Sequence, residues 1–186
     1  MRAYHETYQN VVDDIVNCGI EAGESADTVD IQVVDGSYVT PDESTRTAFG
    51  YAHLLINTVL RNRSPDQYPR RTRGVWMFNN HDGENSRLGR NTLVEIDFES
   101  VVESHTVIAI PWDVATETYW DTMDSYEIAN HISVDELHEK CDAYWDSATV
   151  IESVADVPDE LCEMYIDSPV LDPSHIVGTQ ELSQEF

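Results

Sequence analysis

Lysine is almost absent from this chain of 186 residues. Lys140 is the only one, and lysine and arginine together number 10 against 36 aspartates and glutamates, which gives a formal net charge of −26. So few basic residues argue against binding of nucleic acid through a large basic surface. An acidic decoy that imitates nucleic acid is an alternative, but such a decoy needs a continuous stripe of carboxylates, and here they are spread along the whole chain.

The same charge makes a prediction about the surroundings of the protein. Self-repulsion of this size opposes folding at low ionic strength. At about 1 M salt the Debye length is only about 3 Å, and most of the repulsion between surface charges is screened. The composition therefore indicates adaptation to a salt-rich cytoplasm, as in a halophile (a haloarchaeon, for example) or one of its viruses.

Cysteines are few, and long apolar runs are missing. The three cysteines (Cys18, Cys141 and Cys162) have no short pair spacing, so no disulfide framework is expected and the protein is expected to be reduced and intracellular. No basic segment followed by an apolar run opens the sequence, and no stretch approaches the roughly 18 apolar residues of a membrane helix. We therefore predict a cytoplasmic protein without a signal peptide or a membrane partner.

Local patterns predict an α+β fold, because helices and strands are mixed without regular alternation. Strands are predicted at the start of the chain and at 28–34, 75–78, 92–98, 106–111 and 161–167, and helices at 11–16, 44–60 and 133–145. The last helix has a capping-box pattern, Ser133 to Glu136. We predict one domain over residues 1–178, followed by a polar tail over 179–186.

Most of the basic residues lie in one part of the chain. Seven of the ten fall between positions 61 and 90, namely Arg61, Arg63, Arg70, Arg71, Arg73, Arg87 and Arg90. Guanidinium groups bind phosphate oxygens in pairs and stack on aromatic rings, so the cluster suits a phosphate or pyrophosphate ligand. Pairing with carboxylates of neighbouring elements is an equally good explanation, and it is the better one for any single arginine.

Candidate metal sites are weak, and no metal is predicted. His138 and Cys141 are three apart on a helix, but no second such pair accompanies them. The segment "HDGEN" (81–85) resembles part of a calcium loop, yet it lacks the alternating ligands and the terminal glutamate. We predict a turn there.

Three separated stretches together resemble the ADP-ribosyltransferase superfamily, in its histidine-containing branch. They are "AYHETYQNVVDDIVNCGIEA" (3–22), "RGVWMF" (73–78) and "ELCEMYIDSPVLDPSHIVG" (160–178), in the order in which that fold uses its first, middle and closing segments. The stretch "RNRSPDQYPRRTRGVWMF" (61–78) also resembles the Pro-Ser-Arg segment of poorly characterised, often phage-encoded relatives, although Arg70 stands where they have serine. The resemblance spans most of the chain.

The resemblance implies a split sheet with flanking helices that binds NAD as a substrate. It implies that His5 holds the NAD, that Trp76 packs on the nicotinamide, and that Glu163 stabilises an oxocarbenium-like transition state. His5 and Glu163 are therefore the expected catalytic residues. The expected NAD-binding residues are Tyr4, His5, Thr7, Trp76, Arg70, Arg71 and Arg73.

These roles place one demand on the structure. His5 on the first strand and Glu163 on the last should face each other across one cleft, while Met164 turns into the core. The implied function is a mono-ADP-ribosyltransferase that transfers ADP-ribose to a protein, nucleic-acid or small-molecule acceptor. The alternative is a non-catalytic binding or assembly protein encoded by a halophilic virus or plasmid. For His5 itself, the alternative is an ordinary surface histidine.

Overall fold

The computed structural model describes residues 1–21, 32–39, 75–129, 132–166, 168 and 170–183. The helix predicted at 44–60 and the segment that carries Arg70, Arg71 and Arg73 lie outside the described residues. Contacts divide the chain into two compact units. The first comprises Met1–Gly23, Arg73–Ala109 and Thr149–Phe186, and the second comprises Glu24–Thr72 and Ile110–Ala148.

Helices and strands both occur, and the largest sheet is mostly antiparallel, which confirms the α+β class. The helices are α1 (Val12–Cys18), α2 (Phe98–Ser104), α3 (Trp112–Ala129) and α4 (Val134–Asp146). The strands are β1 (Arg2–Thr7), β2 (Ile20–Glu21), β3 (Gln32–Val34), β4 (Ser37–Val39), β5 (Trp76–Phe78), β6 (Thr92–Asp97), β7 (Val107–Pro111), β8 (Ile132–Ser133), β9 (Thr149–Ile151), β10 (Cys162–Ile166), β11 (Val170–Leu171) and β12 (Ile176–Glu181).

The first unit is built on a sheet of seven strands in the order β12-β6-β1-β5-β10-β7-β9. The first strand of the chain therefore lies inside the sheet, between β6 and β5. Strand alternation sends Ala3, Met77 and Met164 to one face, where all three are fully buried. Ile15 of α1 and Phe98 of α2 belong to the same core cluster. A methionine, isoleucine or phenylalanine side chain contributes about 1.5–3 kcal/mol to stability when it is fully buried.

The second unit contains α3, α4 and a small sheet in the order β3-β4-β8. The turn between β3 and β4 is Asp35-Gly36, and both residues have positive φ (50° and 76°), as a tight hairpin requires. Helix α4 begins where the sequence predicted, because the Ser133 side chain accepts a hydrogen bond from the Glu136 amide. Its buried face is formed by Leu137, Cys141 and Tyr144.

Two parts of the chain differ from the sequence-based predictions. Residues 179–181, which were assigned to a polar tail, continue β12 and pair with β6, and Leu182 after them is buried. The polar side chains of this segment are compatible with a strand because β12 is an edge strand, largely exposed. Helix α3 was not predicted at all. None of the helices in the described part of the chain is both long and apolar enough to cross a membrane.

Candidate ligand-binding site

The first unit has a pocket with a volume of about 530 Å³, within the range of small-molecule sites. Strand β1 contributes His5 and Thr7, β5 contributes Trp76, and the segment between β5 and β6 contributes Arg90. The remaining wall is formed by α1 and β2, and it carries the exposed carboxylates of Asp14 and Glu21. Of the residues predicted to bind NAD, the structure thus brings His5, Thr7 and Trp76 to one pocket.

His5 is a buried, neutral imidazole whose second nitrogen has no hydrogen-bond partner among the described residues. Its Nδ1 lies 2.9 Å from the carbonyl oxygen of Trp76. Because a carbonyl only accepts, Nδ1 carries the proton. Burial lowers the pKa of His5 to about 4, and the positive charge of Arg90 acts in the same direction. At neutral pH, Nε2 therefore has a lone pair, and no described residue donates a hydrogen bond to it. His5 is 6% exposed, so it is not a surface histidine.

Trp76 is part of the pocket wall and is already in contact with two other pocket residues. Its ring centroid lies 4.4 Å from that of His5, and the guanidinium carbon of Arg90 lies 5.3 Å from it. The ring of Phe78 packs edge-on against it at 5.5 Å. The indole therefore holds the two polar groups in place, and its packing on the nicotinamide stays a prediction.

Arg90 supplies the positive charge of the pocket. Its guanidinium carbon lies 5.6 Å from the ring of Tyr8 and 5.3 Å from the ring of Trp76, and Nη1 donates to the carbonyl oxygen of Glu6 at 2.8 Å. Partial burial lowers the pKa of Arg90, but an arginine remains charged at neutral pH. Within the described parts of the chain, no carboxylate lies within ion-pair distance of it. Its other N–H groups are thus available to an anion.

Directly behind the pocket, the Glu6 carboxylate is completely buried. Oε1 accepts hydrogen bonds from His81 Nε2 (3.0 Å) and the Arg87 amide (2.8 Å). Oε2 accepts from Ser86 Oγ (2.6 Å) and the Leu88 amide (3.0 Å). A buried carboxylate needs compensating hydrogen bonds, and this one has four. Glu6 therefore fastens the segment 81–90 to strand β1.

His81 is held in one tautomer within this network. The Gly83 amide donates to Nδ1 at 2.9 Å, so the proton is on Nε2, which donates to Glu6. Asp82 next to it accepts from the amides of Glu84 and Asn85. These two hydrogen bonds lower the pKa of the Asp82 carboxyl. The turn predicted at 81–85 is confirmed. Among the described residues, no three histidine, cysteine, aspartate or glutamate side chains are grouped to hold a metal ion.

Glu163 does not line the pocket that contains His5, so the structure does not bring the two expected catalytic residues together there, and the catalytic role of Glu163 stays a prediction. Glu163 pairs with Phe78, and Phe78 pairs with Tyr4, so these three side chains lie on the same face of the sheet. His5 follows Tyr4 in the strand and points to the other face, the one that also buries Met164. Glu163 is buried, and it does not line the pocket. Tyr4, half-buried on the Glu163 face, does not line it either.

The sequence does not predict the buried network that fastens the segment 81–90 to β1. Its central residues, Glu6 and Ser86, belong to no recognised motif, and Arg90 is one member of the arginine cluster. The alternation of β1 carries a signal for Glu6, since it places this residue on the face opposite His5 and Thr7. No local pattern indicates that a segment some 80 positions away covers that face.

Comparison with known proteins gives no match. No protein-family model, no curated protein and no solved structure is similar enough to this chain to support an assignment. The chemistry of the pocket must therefore be interpreted from its own residues.

Proposed function

We propose that the pocket binds NAD and that the protein is an NAD-dependent mono-ADP-ribosyltransferase. The observation that carries the proposal is the meeting of His5, Thr7, Trp76 and Arg90 in one pocket. The resemblance names the first three of these residues for NAD binding. His5 and Thr7 lie on β1, and Trp76 lies on β5, some 70 positions later in the chain. Arg90 adds the cation that a pyrophosphate needs.

The hydrogen-bonding groups of the pocket match those of a dinucleotide. Neutral His5 offers Nε2 only as an acceptor, so the ligand group that meets it is a donor, such as a ribose hydroxyl. Arg90 offers donors and a positive charge, so its partner is an acceptor with negative charge. The Thr7 hydroxyl can do either. A ribose next to a phosphate carries both features, and NAD has two such units.

The rim carboxylates favour the oxidised form of the dinucleotide. Asp14 and Glu21 are exposed and line the pocket, and the nicotinamide ring is positively charged in NAD⁺ and neutral in NADH. An exposed ion pair contributes about 0.2–1 kcal/mol, so we expect NAD⁺ to bind about 1.5- to fivefold more tightly than NADH. Calorimetric titration of both forms measures the ratio. With both carboxylates replaced by amides (Asp14→Asn and Glu21→Gln), the ratio should fall to about one. Equal affinity for the two forms in the wild type contradicts this part of the proposal.

Transfer of ADP-ribose begins with cleavage of the bond between nicotinamide and ribose, so release of nicotinamide from labelled NAD tests catalysis directly. If Glu163 is the catalytic carboxylate, Glu163→Gln should abolish most release and leave NAD affinity nearly unchanged, because the substitution keeps the size and removes the charge. His5→Ala should weaken both binding and release. A Glu163→Gln variant as active as the wild type excludes that role for Glu163.

A second function is favoured by the position of Glu163. Because this carboxylate does not line the pocket, the pocket is also suited to a protein that binds a nucleotide without cleaving it. Such a protein binds NAD in the titration but releases no nicotinamide, whichever acceptor is added. The titration and the release assay, carried out on the same sample in molar salt, separate the two functions.

A further inference from the structure

We propose that Arg90 is the phosphate-binding residue of the pocket and that Glu6 is the buried positioning residue that sets it in place. The inference rests on the pocket of the proposed function, although it does not require that the ligand is NAD. Any compound with a phosphate or pyrophosphate group would use the same guanidinium.

Arg90 has no carboxylate partner among the described residues. The chain has 36 acidic residues and 10 basic ones, so a pocket arginine with no carboxylate within ion-pair distance among the described residues is unexpected. Among the described residues, only the Glu6 carbonyl accepts from its five N–H donors, and the guanidinium lies over the rings of Tyr8 and Trp76. A rigid, partly desolvated guanidinium with unused donors is a preorganised anion site.

The neighbouring His5 supports the interpretation of a ligand site. His5 lines the pocket and is more than nine-tenths buried. Its Nε2 has no hydrogen-bond partner among the described residues. A buried acceptor without a partner is costly unless a ligand supplies one. Arg90 and His5 contact the same indole ring, so a ligand that reaches one of them is also close to the other.

Glu6 fixes Arg90 by two routes. Its backbone carbonyl accepts directly from the Arg90 guanidinium, and its carboxylate holds Ser86 Oγ, which in turn accepts from the Arg90 amide at 2.7 Å. The same carboxylate holds the amides of Arg87 and Leu88. Glu6 is buried and does not line the pocket, so it acts through the segment 86–90 and does not contact the ligand.

The first test measures binding of inorganic pyrophosphate and of ADP by calorimetry. It is carried out in molar salt, where the repulsion between surface carboxylates is screened. We expect Arg90→Gln to weaken both by about 10- to 100-fold, because a charge-assisted contact to phosphate is lost. Arg87→Gln is the matched control: Arg87 is in the same segment, stacks on Phe78 at 5.3 Å and does not line the pocket. It should change affinity less than twofold. Arg90→Gln with wild-type affinity, or an equal loss in Arg87→Gln, overturns the proposal, as does a wild type that binds neither probe.

The positioning role is tested with a double-mutant cycle. Glu6→Gln keeps the shape of the side chain but cannot accept from four donors, and it should weaken ADP binding about tenfold. In the Arg90→Gln background the same change should have no further effect, because it acts through Arg90. If Glu6 contributes only to stability, Glu6→Gln lowers ADP affinity by the same factor in both backgrounds. That result overturns the positioning role of Glu6. If Glu6→Gln does not fold, Ser86→Ala in the same two backgrounds makes the same measurement.

The outcomes separate this inference from the proposed function. If ADP and pyrophosphate bind through Arg90 and NAD does not bind, the NAD proposal is wrong and the phosphate site stands. If NAD binds equally well to the wild type and to Arg90→Gln, the phosphate site is wrong and the NAD proposal stands.

Discussion

Transfer of the protein from 2 M to 0.1 M salt should lower its melting temperature by about 10–20 °C, or unfold it at room temperature. The formal net charge is −26, and the Debye length grows from about 2–3 Å to about 10 Å over this dilution, so carboxylates that were screened begin to repel. For a chain of this size, about 2–4 °C corresponds to 1 kcal/mol, so the shift represents a loss of about 5 kcal/mol. Circular dichroism melts across a dilution series measure it.

Two controls identify charge as the cause. Sucrose at matched osmolarity should restore only part of the melting temperature, because it stabilises folded proteins by exclusion from their surface but does not screen charge. At 0.1 M salt the loss should be smaller at pH 5.5 than at pH 8, since carboxyl groups begin to bind protons as the pH approaches the sequence isoelectric point of about 4.2. A melting temperature that is independent of salt contradicts the hypothesis of adaptation to a salt-rich cytoplasm.

Replacement of Gly19 by alanine should destabilise the protein by about 2–6 kcal/mol. Gly19 ends α1 with φ 91° and ψ −178°, a backbone conformation close to glycine-only, which costs other residues about 1–3 kcal/mol. A Cβ atom at this position would collide with the backbone carbonyl of Leu171, and Leu171 belongs to β11, which pairs with β2. Separating these backbones adds about 1–3 kcal/mol. Denaturant melts of the variant measure the sum.

Gly89→Ala separates the two contributions. Gly89 also has positive φ (70°), but nothing lies within 4 Å of the position of its Cβ, so this variant should lose only about 1 kcal/mol. Gly178→Ala has neither a positive φ nor a nearby atom and should be close to neutral. Because Gly19 borders the pocket, ligand affinity should also fall in Gly19→Ala. If Gly19→Ala and Gly89→Ala lower the free energy of unfolding by the same amount, the collision with the Leu171 carbonyl does not contribute to the destabilisation.

The elements that follow from local rules could be predicted from the sequence. The strands β5, β6, β7 and β10 coincide with the short, largely apolar segments predicted as strands, and α4 begins after the predicted capping residue Ser133. Helix α3 could not be recognised by apolar periodicity, because two of its buried residues are threonines. Thr118 and Thr122 satisfy their hydroxyl groups within the helix, on the carbonyls of Val114 and Thr118. Polar residues can therefore occupy a buried face without any apolar signal.

The site was predictable within each strand and unpredictable between strands. Alternation correctly sent Met164 into the core and Glu163 to the other side. Which of Tyr4 and His5 shares a face with Glu163 depends on the pairing of β1 with β5 and of β5 with β10, and a shift of one residue would exchange the two. That register is set by long-range packing, which the local sequence does not encode.

The order of the strands also bears on when the sheet can form during synthesis. β1 is translated first, but it lies between β6 and β5, and β10 must come between β5 and β7. At about 5–20 residues per second, the ribosome needs roughly 8–30 s to proceed from β1 to β10. During that interval the apolar face of β5, including Met77, has no neighbour on the β10 side. The nascent first unit must therefore remain soluble in an unpaired state, and it completes its sheet only after β10 and β12 have been synthesised.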